Sequence, residues 1–553
     1  MLDRNADLVV FNEAIYTLDP DNPWVEAFAV KDGRYCAVGS RSEVKAMIGA
    51  DTRVVEMRGG MIMPGINDAH AHPLDGGYED LFLCNFSPTA SFHEILHHVA
   101  EAARKAEPGD WIIGGSWGDQ NMEVMSSEAG RQALDRVSNG HPVFLRDISY
   151  HNRFVNSVVL QMVGIDRNSE APLGCVFVKD PSTGEPTGLL KEFGAFTPIE
   201  ARMPPRLRER LDKAAGYIVA RLNSLGVTGI QDAYGSEGIM QVWSDLDRQQ
   251  GLPLWLVGSI PAMPFFPGDR AGMELISERE KFRTPRVFPH FVKFFLDGVP
   301  PARTAKMLAP YLPEGGEGNG APFHGEAYFE ADPLAEAMCP YDQMGLPIMI
   351  HTTGDGAVRI ALDAIEKVRS ANGDEGPRHV LAHCSIVDPA DYPRFRKLNV
   401  AVNLSPMLWF PTGLWLGSFP AIGPDRCHNQ WLRNKDFVEA GALVSSGSDW
   451  PAGQTHANPW IGIEGMLTRR DPLGMIPGEL GLDQALDLET VLAIYTINSA
   501  KAMGIDEVTG SMVKGKSADF IVLDNNLFEI PVDKIHQTQV RGTYFQGKSV
   551  FSC

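Results

Sequence analysis

With 553 residues, 44% of them apolar and 22% charged, the chain has the makings of a globular protein with a large core; length alone suggests about three or four domains, although one barrel can absorb much of it. A formal net charge of −21 argues against a nucleic-acid partner, which needs a basic face. Seven cysteines, an odd number without a C-x-x-C pair, exclude a disulfide framework, and no uninterrupted apolar run is long enough to span a membrane.

The first sixty residues read as strands, with Asp32-Gly33 as the hairpin turn between two alternating runs. Early acids and the lack of an apolar core there argue against a secretory signal, so a soluble, cytoplasmic protein is expected. The C-terminal segments ADFIVLDNN and GTYFQGKSVF are strand-like again. Neither end can bury a core alone, so 1–60 and 509–553 are expected to form one composite β-sandwich.

Between them, 61–508 alternates strands and helices. Candidate parallel strands fall at 61–67, 227–233, 254–260, 291–297, 347–352, 379–384, 400–404 and 443–448, with helical patterns at 211–225 and 356–371. Eight such units favour a closed (β/α)8 barrel, an α/β fold. The interval 73–205 is too long for a connection and carries strand signals of its own, so an inserted subdomain is expected after strand one.

Metal-ligand types recur where these strands end: His70, His72, Lys293, His351, His383 and Asp449. A barrel places its chemistry at that end. His70 and His72 alternate along an extended segment, so both imidazoles point one way, with Ala71 opposite. A metal-dependent hydrolase is expected. Histidine and carboxylate suit zinc, iron, nickel or manganese alike.

In combination, PGINDAHAH (64–72), KFFLDG (293–298), HTTGDGAV (351–358), HCSIVDP (383–389) and GSDWP (447–451) resemble the signatures of the amidohydrolase superfamily. The resemblance is to family 3, the branch of N-substituted formamide deformylase-like proteins, and runs over essentially the whole chain. It implies that His70, His72 and Asp449 hold one metal and His351 and His383 a second. Lys293 would bridge them as a carbamate formed with CO2, since an ammonium of pKa about 10.4 repels cations. Asp449 would shuttle the proton while metal-activated hydroxide attacks an amide-like C–N bond of a small organic substrate. Two zinc ions are the expected pair, and a homodimer or larger oligomer is in keeping with such proteins. Lys293 also admits a plain reading, an ammonium paired with Asp297.

The sequence departs from the family pattern at Ile66-Asn67 and at Gly356, without losing a ligand. His151 resembles a position near the barrel mouth, where it would contact substrate or the oxyanion. Asp355, Arg303 and Thr304 are candidates for orienting the ligands. Asp119 is a further candidate for orienting them, and Trp117, Met407, Leu408, Trp409, Phe410 and Trp415 are candidates for an apolar substrate pocket or lid, with Met263 to Pro267 as a second wall. Three rival readings stand beside this one: ester or lactone hydrolysis at the same site, a non-catalytic binding or assembly protein on the same barrel, and a serine hydrolase using Gly114-Gly115-Ser116-Trp117-Gly118. The last needs a helix directly after the serine, where the sequence is polar and loop-like.

Overall fold

A computed structural model of the chain describes residues 5–148, 150–172, 175–264, 269–313, 322–405, 410–452 and 456–553, with Asp119 by its backbone alone. Its centre is an eight-stranded parallel sheet in sequential order: Ile66–Ala71, Val227–Asp232, Trp255–Pro261, Val287–Phe295, Ile348–Thr352, His379–His383, Val400–Leu404 and Leu443–Ser446. The sheet curls into a nearly closed barrel. Its last gap is bridged beyond the eighth strand, where Asp449 N–H donates to His70 O (2.6 Å) and His72 N–H donates to Trp450 O (2.9 Å).

Seven of the strands fall close to their expected positions, but the first does not. The apolar run at 61–67 is cut in two: Ile62–Pro64 pairs antiparallel with Phe520–Leu523 in another sheet, and the barrel strand begins only at Ile66. Gly65 is the joint, because a Cβ there would lie 2.1 Å from Thr228 Oγ1. His70 therefore sits inside the strand, and His72 caps the helix Pro73–Phe82 that follows.

Inside the barrel alanines alternate with larger apolar side chains. Ala69, Ala233, Val257, Phe291, Met349, Val380, Ala382 and Ala401 form one cluster. The surrounding helices bury stripes against the outer face; Arg208–Ser224, for example, turns Ala214, Ala215, Ile218, Val219 and Leu222 inward at helical spacing. At the N-terminal end of the strands, His379 accepts from Ile348 N–H at Nδ1 (3.1 Å) and meets Asp342 through Nε2 (3.0 Å). This histidine supports structure at the end of a barrel where chemistry is not placed.

Both ends of the chain share one eight-stranded sheet, in which Lys548–Ser552, Val540–Phe545, Phe520–Leu523, Ile62–Pro64, Leu8–Tyr16, Trp24–Lys31 and Arg34–Gly39 lie in order and Arg53–Glu56 pairs with Leu8–Tyr16. The Asp32-Gly33 turn has φ of 50° and 76°, the left-handed pair that a tight hairpin with the twist of its strands requires. Asp519 ties this sheet to the barrel floor. It accepts from Trp255 Nε1 (2.7 Å), Thr509 Oγ1 (2.9 Å), Ser517 Oγ (2.6 Å) and Gln546 N–H (2.9 Å).

A third sheet of six strands lies between the first and second barrel strands in sequence: Val176–Lys179, Pro186–Lys191, Asn152–Val155, Val143–Asp147, Ile112–Trp117 and Cys84–Asn85, in that spatial order. Among the described residues, no helix is long and apolar enough to cross a membrane.

Candidate metal centre

Strand alternation aims part of the constellation. Lys293 lies two residues beyond Phe291, and His351 two beyond Met349, so both continue the inward face of their strands. The other ligands need departures from regular backbone. On the first strand the pairing slips, since Asp68 faces Ile230 but Ala71 already faces Asp232; the extra residue re-aims His70. On the sixth, Ala382 faces inward, and φ of 74° at His383 and 43° at Cys384 breaks the alternation. The thiol of Cys384 then packs in the outer core while the His383 imidazole joins the site. Asp449 has φ of 54°.

Four imidazoles form a row, with ring centres 5.8 Å apart for His72 and His70, 4.9 Å for His70 and His383, and 4.7 Å for His383 and His351. Asp449 faces the row. Its Oδ1 lies 3.4 Å from Nε2 of both His70 and His72, and its Oδ2 lies 3.9 Å from His383 Nδ1. One ligand atom from each of His70, His72 and Asp449 falls within a 4.8 Å group, small enough to surround one ion. Lys293 is 2% exposed, with its Nζ 4.9 Å from the centre of the Phe295 ring. Among the described residues no carboxylate reaches ion-pair distance of it.

The electrostatics suit ligands. Burial, then the nearby Lys293, pushes His70 well below the ordinary imidazole range; burial, with His351 and Lys293, does the same to His383. Both shifts favour the neutral imidazole, the form that binds metal. Burial would lower His72 too, but its contact with Asp449 outweighs this and raises it. Burial pushes the Asp449 carboxyl up, but His383, His72 and Lys293 hold it below the usual range. Lys293 is lowered to about 8 by burial, against the pull of Asp449. Nδ1 of both His70 and His351 is buried without a hydrogen-bond partner. Such orphaned nitrogens around converging ligand atoms fit a site built to hold cations.

Neighbouring acids brace the centre. Asp68 accepts from Ser448 N–H (2.8 Å) and His70 N–H (3.2 Å), pinning the first strand to the loop that carries Asp449, and burial raises its carboxyl to about 6. Asp232 accepts from Trp243 Nε1 (3.0 Å) and is likewise raised by burial to about 6. Asp297 does not pair with Lys293. It accepts from Thr353 N–H (3.0 Å), Gly354 N–H (2.9 Å) and Lys306 N–H (3.0 Å), and its Oδ1 lies 3.5 Å from His351 Nδ1. Asp297→Ala strips three buried donors at once and should cost about 3 kcal/mol or more of stability in denaturant unfolding. A loss below about 1 kcal/mol would contradict this role.

The remaining candidates are held by contacts of their own. His151, just before the strand Asn152–Val155, pairs through Nδ1 with Glu192 Oε2 (3.1 Å), beside the Phe193 ring at the start of the helix Phe193–Glu200. Trp117 is buried in that sheet's core and donates to Leu145 O (3.4 Å). Phe410 packs on Gly465, and Trp415 donates to Cys427 O (2.9 Å); both are buried in the main core. Asp355 accepts from Leu308 N–H (2.8 Å), Thr304 folds back on Val299, and Arg303 donates to Leu312 O (2.6 Å), so these three shape loops around the mouth. Met407, Leu408, Trp409 and the stretch from Phe265 to Pro267 lie outside the described residues, as does the Asp119 side chain. Asp297 and Asp232 escaped the sequence reading as site residues, although both end or follow barrel strands.

Comparison with known proteins agrees with this fold. The profile of the amidohydrolase family matches residues 53–551. The chain is 27% identical to the N-substituted formamide deformylase of Arthrobacter pascens, over 98% of this chain and 97% of that protein. It is equally 27% identical to Protein LONG AFTER FAR-RED 3 of Arabidopsis thaliana, over 99% of this chain and 92% of that one. Among solved structures, an uncharacterized metal-dependent hydrolase from Pyrococcus horikoshii superposes with a TM-score of 0.73, covering 95% of this chain and 99% of its own at 22% identity; at that distance the likeness speaks for the fold.

Proposed function

Because the chain belongs to the amidohydrolase family, and is thus an enzyme of the hydrolase class, we propose that it cleaves the C–N bond of a small organic amide at the centre formed by His70, His72, Lys293, His351, His383 and Asp449. The observation that carries the reading is the convergence of His70, His72 and Asp449 on one point, with the His383 and His351 imidazoles continuing the row. His70, His72 and Asp449 would hold one divalent ion, His351 and His383 a second, and a carboxylated Lys293 would lie between them. Zinc is the first choice, with iron, nickel or manganese also suited to these donors. Bound there, such ions supply Lewis acidity, which makes a carbonyl electrophilic and a water acidic.

The residues do the rest. Asp449 keeps one oxygen toward His70 and His72 and the other toward His383, and would take a proton from the attacking water and return it to the leaving nitrogen. Burial favours the neutral form of His70 and His383, which leaves their ring nitrogens available as donors. The 27% identical deformylase supports an amide over an ester or lactone. We further read 1–60 with 509–553 as a composite β-sandwich unit, 61–508 as the barrel, and 73–205 as an inserted subdomain. The same reading makes the protein a cytoplasmic homo-oligomer that engages small molecules rather than membranes or nucleic acids.

Assay on a panel of N-formyl and N-acyl amines, cyclic amides, esters and lactones tests this, alongside elemental analysis. Prolonged chelation should lower amide turnover at least about 100-fold, and one divalent metal added back should restore it. Turnover that survives complete metal removal would refute the proposal.

A further inference from the structure

Asn67 puts an amide into an otherwise apolar stretch of the chain and is completely buried in the first barrel strand. Gly229, on the second strand, leaves room for it, since a Cβ there would lie 2.0 Å from Asn67 Oδ1. The amide Nδ2 donates to Thr496 O (3.1 Å). Thr496 belongs to Ile494–Asn498, a single π turn between the helices Leu488–Ala493 and Ser499–Ala502. Such a turn holds one residue more in each hydrogen-bonded ring than an α-helix, and it recurs at functional sites. Its other side grips the eighth strand. Ser499, also completely buried, accepts from Ser446 N–H (3.0 Å) and donates to Ile494 O (2.7 Å). Tyr495 reaches Ser446 and lies within electrostatic reach of Asp68.

The place of the turn in the barrel gives it a task. Neighbouring strands from the first to the eighth are joined by ladders, but among the described residues no ladder joins the eighth to the first. The turn spans that gap below the ligands: Asn67 stands three residues before His70, and Ser446 three before Asp449. Above it, single hydrogen bonds join the two sides, from Asp449 N–H to His70 O and from Ser448 N–H to Asp68. His351 and His383, by contrast, stand on the fifth and sixth strands, whose ladder runs up to Thr352 and His383.

Resting on the reading of the six residues as a metal centre, we propose that the π turn fixes the spacing of His70 and Asp449, with Asn67 and Ser499 as positioning residues for the ion those two ligands would share with His72. A backbone ladder fixes His351 and His383, so loosening the turn weakens the first ion and spares the second.

The test compares Asn67→Leu and Ser499→Ala with Thr509→Val, which removes a buried hydroxyl bond to Asp519 at the barrel floor and serves as the structural control. Metal-free protein titrated with zinc, bicarbonate being present, should take up two ions per chain in the wild type and the control. In the two variants the affinity for one ion should fall about 10- to 100-fold while the other stays within about threefold. Hydrogen exchange on the metal-free proteins needs no ion. Peptides spanning 66–72 and 447–452 should exchange at least about tenfold faster in both variants, and those spanning 348–352 and 379–383 should not. The two substitutions act on opposite sides of the turn, so either decides if the other does not fold. Equal loss of both ions, full retention of both, or local exchange no faster than in Thr509→Val overturns the proposal. If the wild type takes up no metal, the reading of the centre fails separately, and the exchange comparison alone decides whether the turn positions the two residues.

Discussion

Asp449→Asn should lower kcat at least about 1,000-fold while the protein still folds and keeps most of its metal. The substitution preserves shape and one oxygen, so the contacts of Oδ1 with His70 and His72, each at 3.4 Å, survive in outline. It also preserves the backbone: Asn tolerates the left-handed φ of 54° as well as Asp does, and the N–H to His70 O is untouched. What disappears is a carboxylate able to carry a proton. The deficit should therefore fall on kcat and kcat/KM alike, with KM nearly constant, as expected when a group acts in the transition state alone. Circular dichroism and metal content measured on the same preparation separate this outcome from misfolding. An Asn variant that keeps more than about one tenth of kcat at full metal content removes the proton-shuttle role.

The centre was legible in the sequence to the extent that it obeys strand periodicity. Lys293 and His351 continue the inward faces of apolar runs, so counting by twos finds them. His70, His383 and Asp449 reach the site through a register slip and left-handed residues, which leave no pattern behind; only the company of the other ligands marked them. The start of the first strand was misjudged because 61–67 is evenly apolar, and the division at Gly65 arises from contact with Thr228, a residue far along the chain. The apolar stretch after the seventh strand was ambiguous for a related reason. Phe410 and Trp415 are the right residues for a pocket wall and equally for the core that buries them here. Pairings such as Arg146 with Glu79 join two distant segments through a single ion pair, and neither residue stands in a recognisable motif. Asp297 lay within KFFLDG, but its task as acceptor for three backbone donors depends on loops whose course no local rule predicts.

Lys293→Ala should release the metals and lower activity at least about 1,000-fold, and short carboxylic acids such as acetate or propionate should restore part of both. Lys293 is 2% exposed, continues the inward face of its strand within electrostatic reach of His70, His383 and Asp449, and has the Phe295 ring beside its terminus. A buried ammonium without an ion pair is costly, and burial favours the uncharged amine. On the proposed reading that amine would add to CO2 with loss of a proton, and the carbamate would replace a misplaced cation with an anionic ligand of two oxygens. Alanine removes the stem and leaves a cavity of about the right length for a small acid to supply the same oxygens. The wild-type protein should accordingly gain metal and activity faster when bicarbonate is present during loading, and 13C-bicarbonate should give a carbamate carbon resonance that Lys293→Ala lacks. If Lys293 instead serves as an ammonium, neither bicarbonate nor the added acids will matter, and the variant will keep its metals; that result would leave Lys293 a structural cation and reduce the bridge to five ligands without a link.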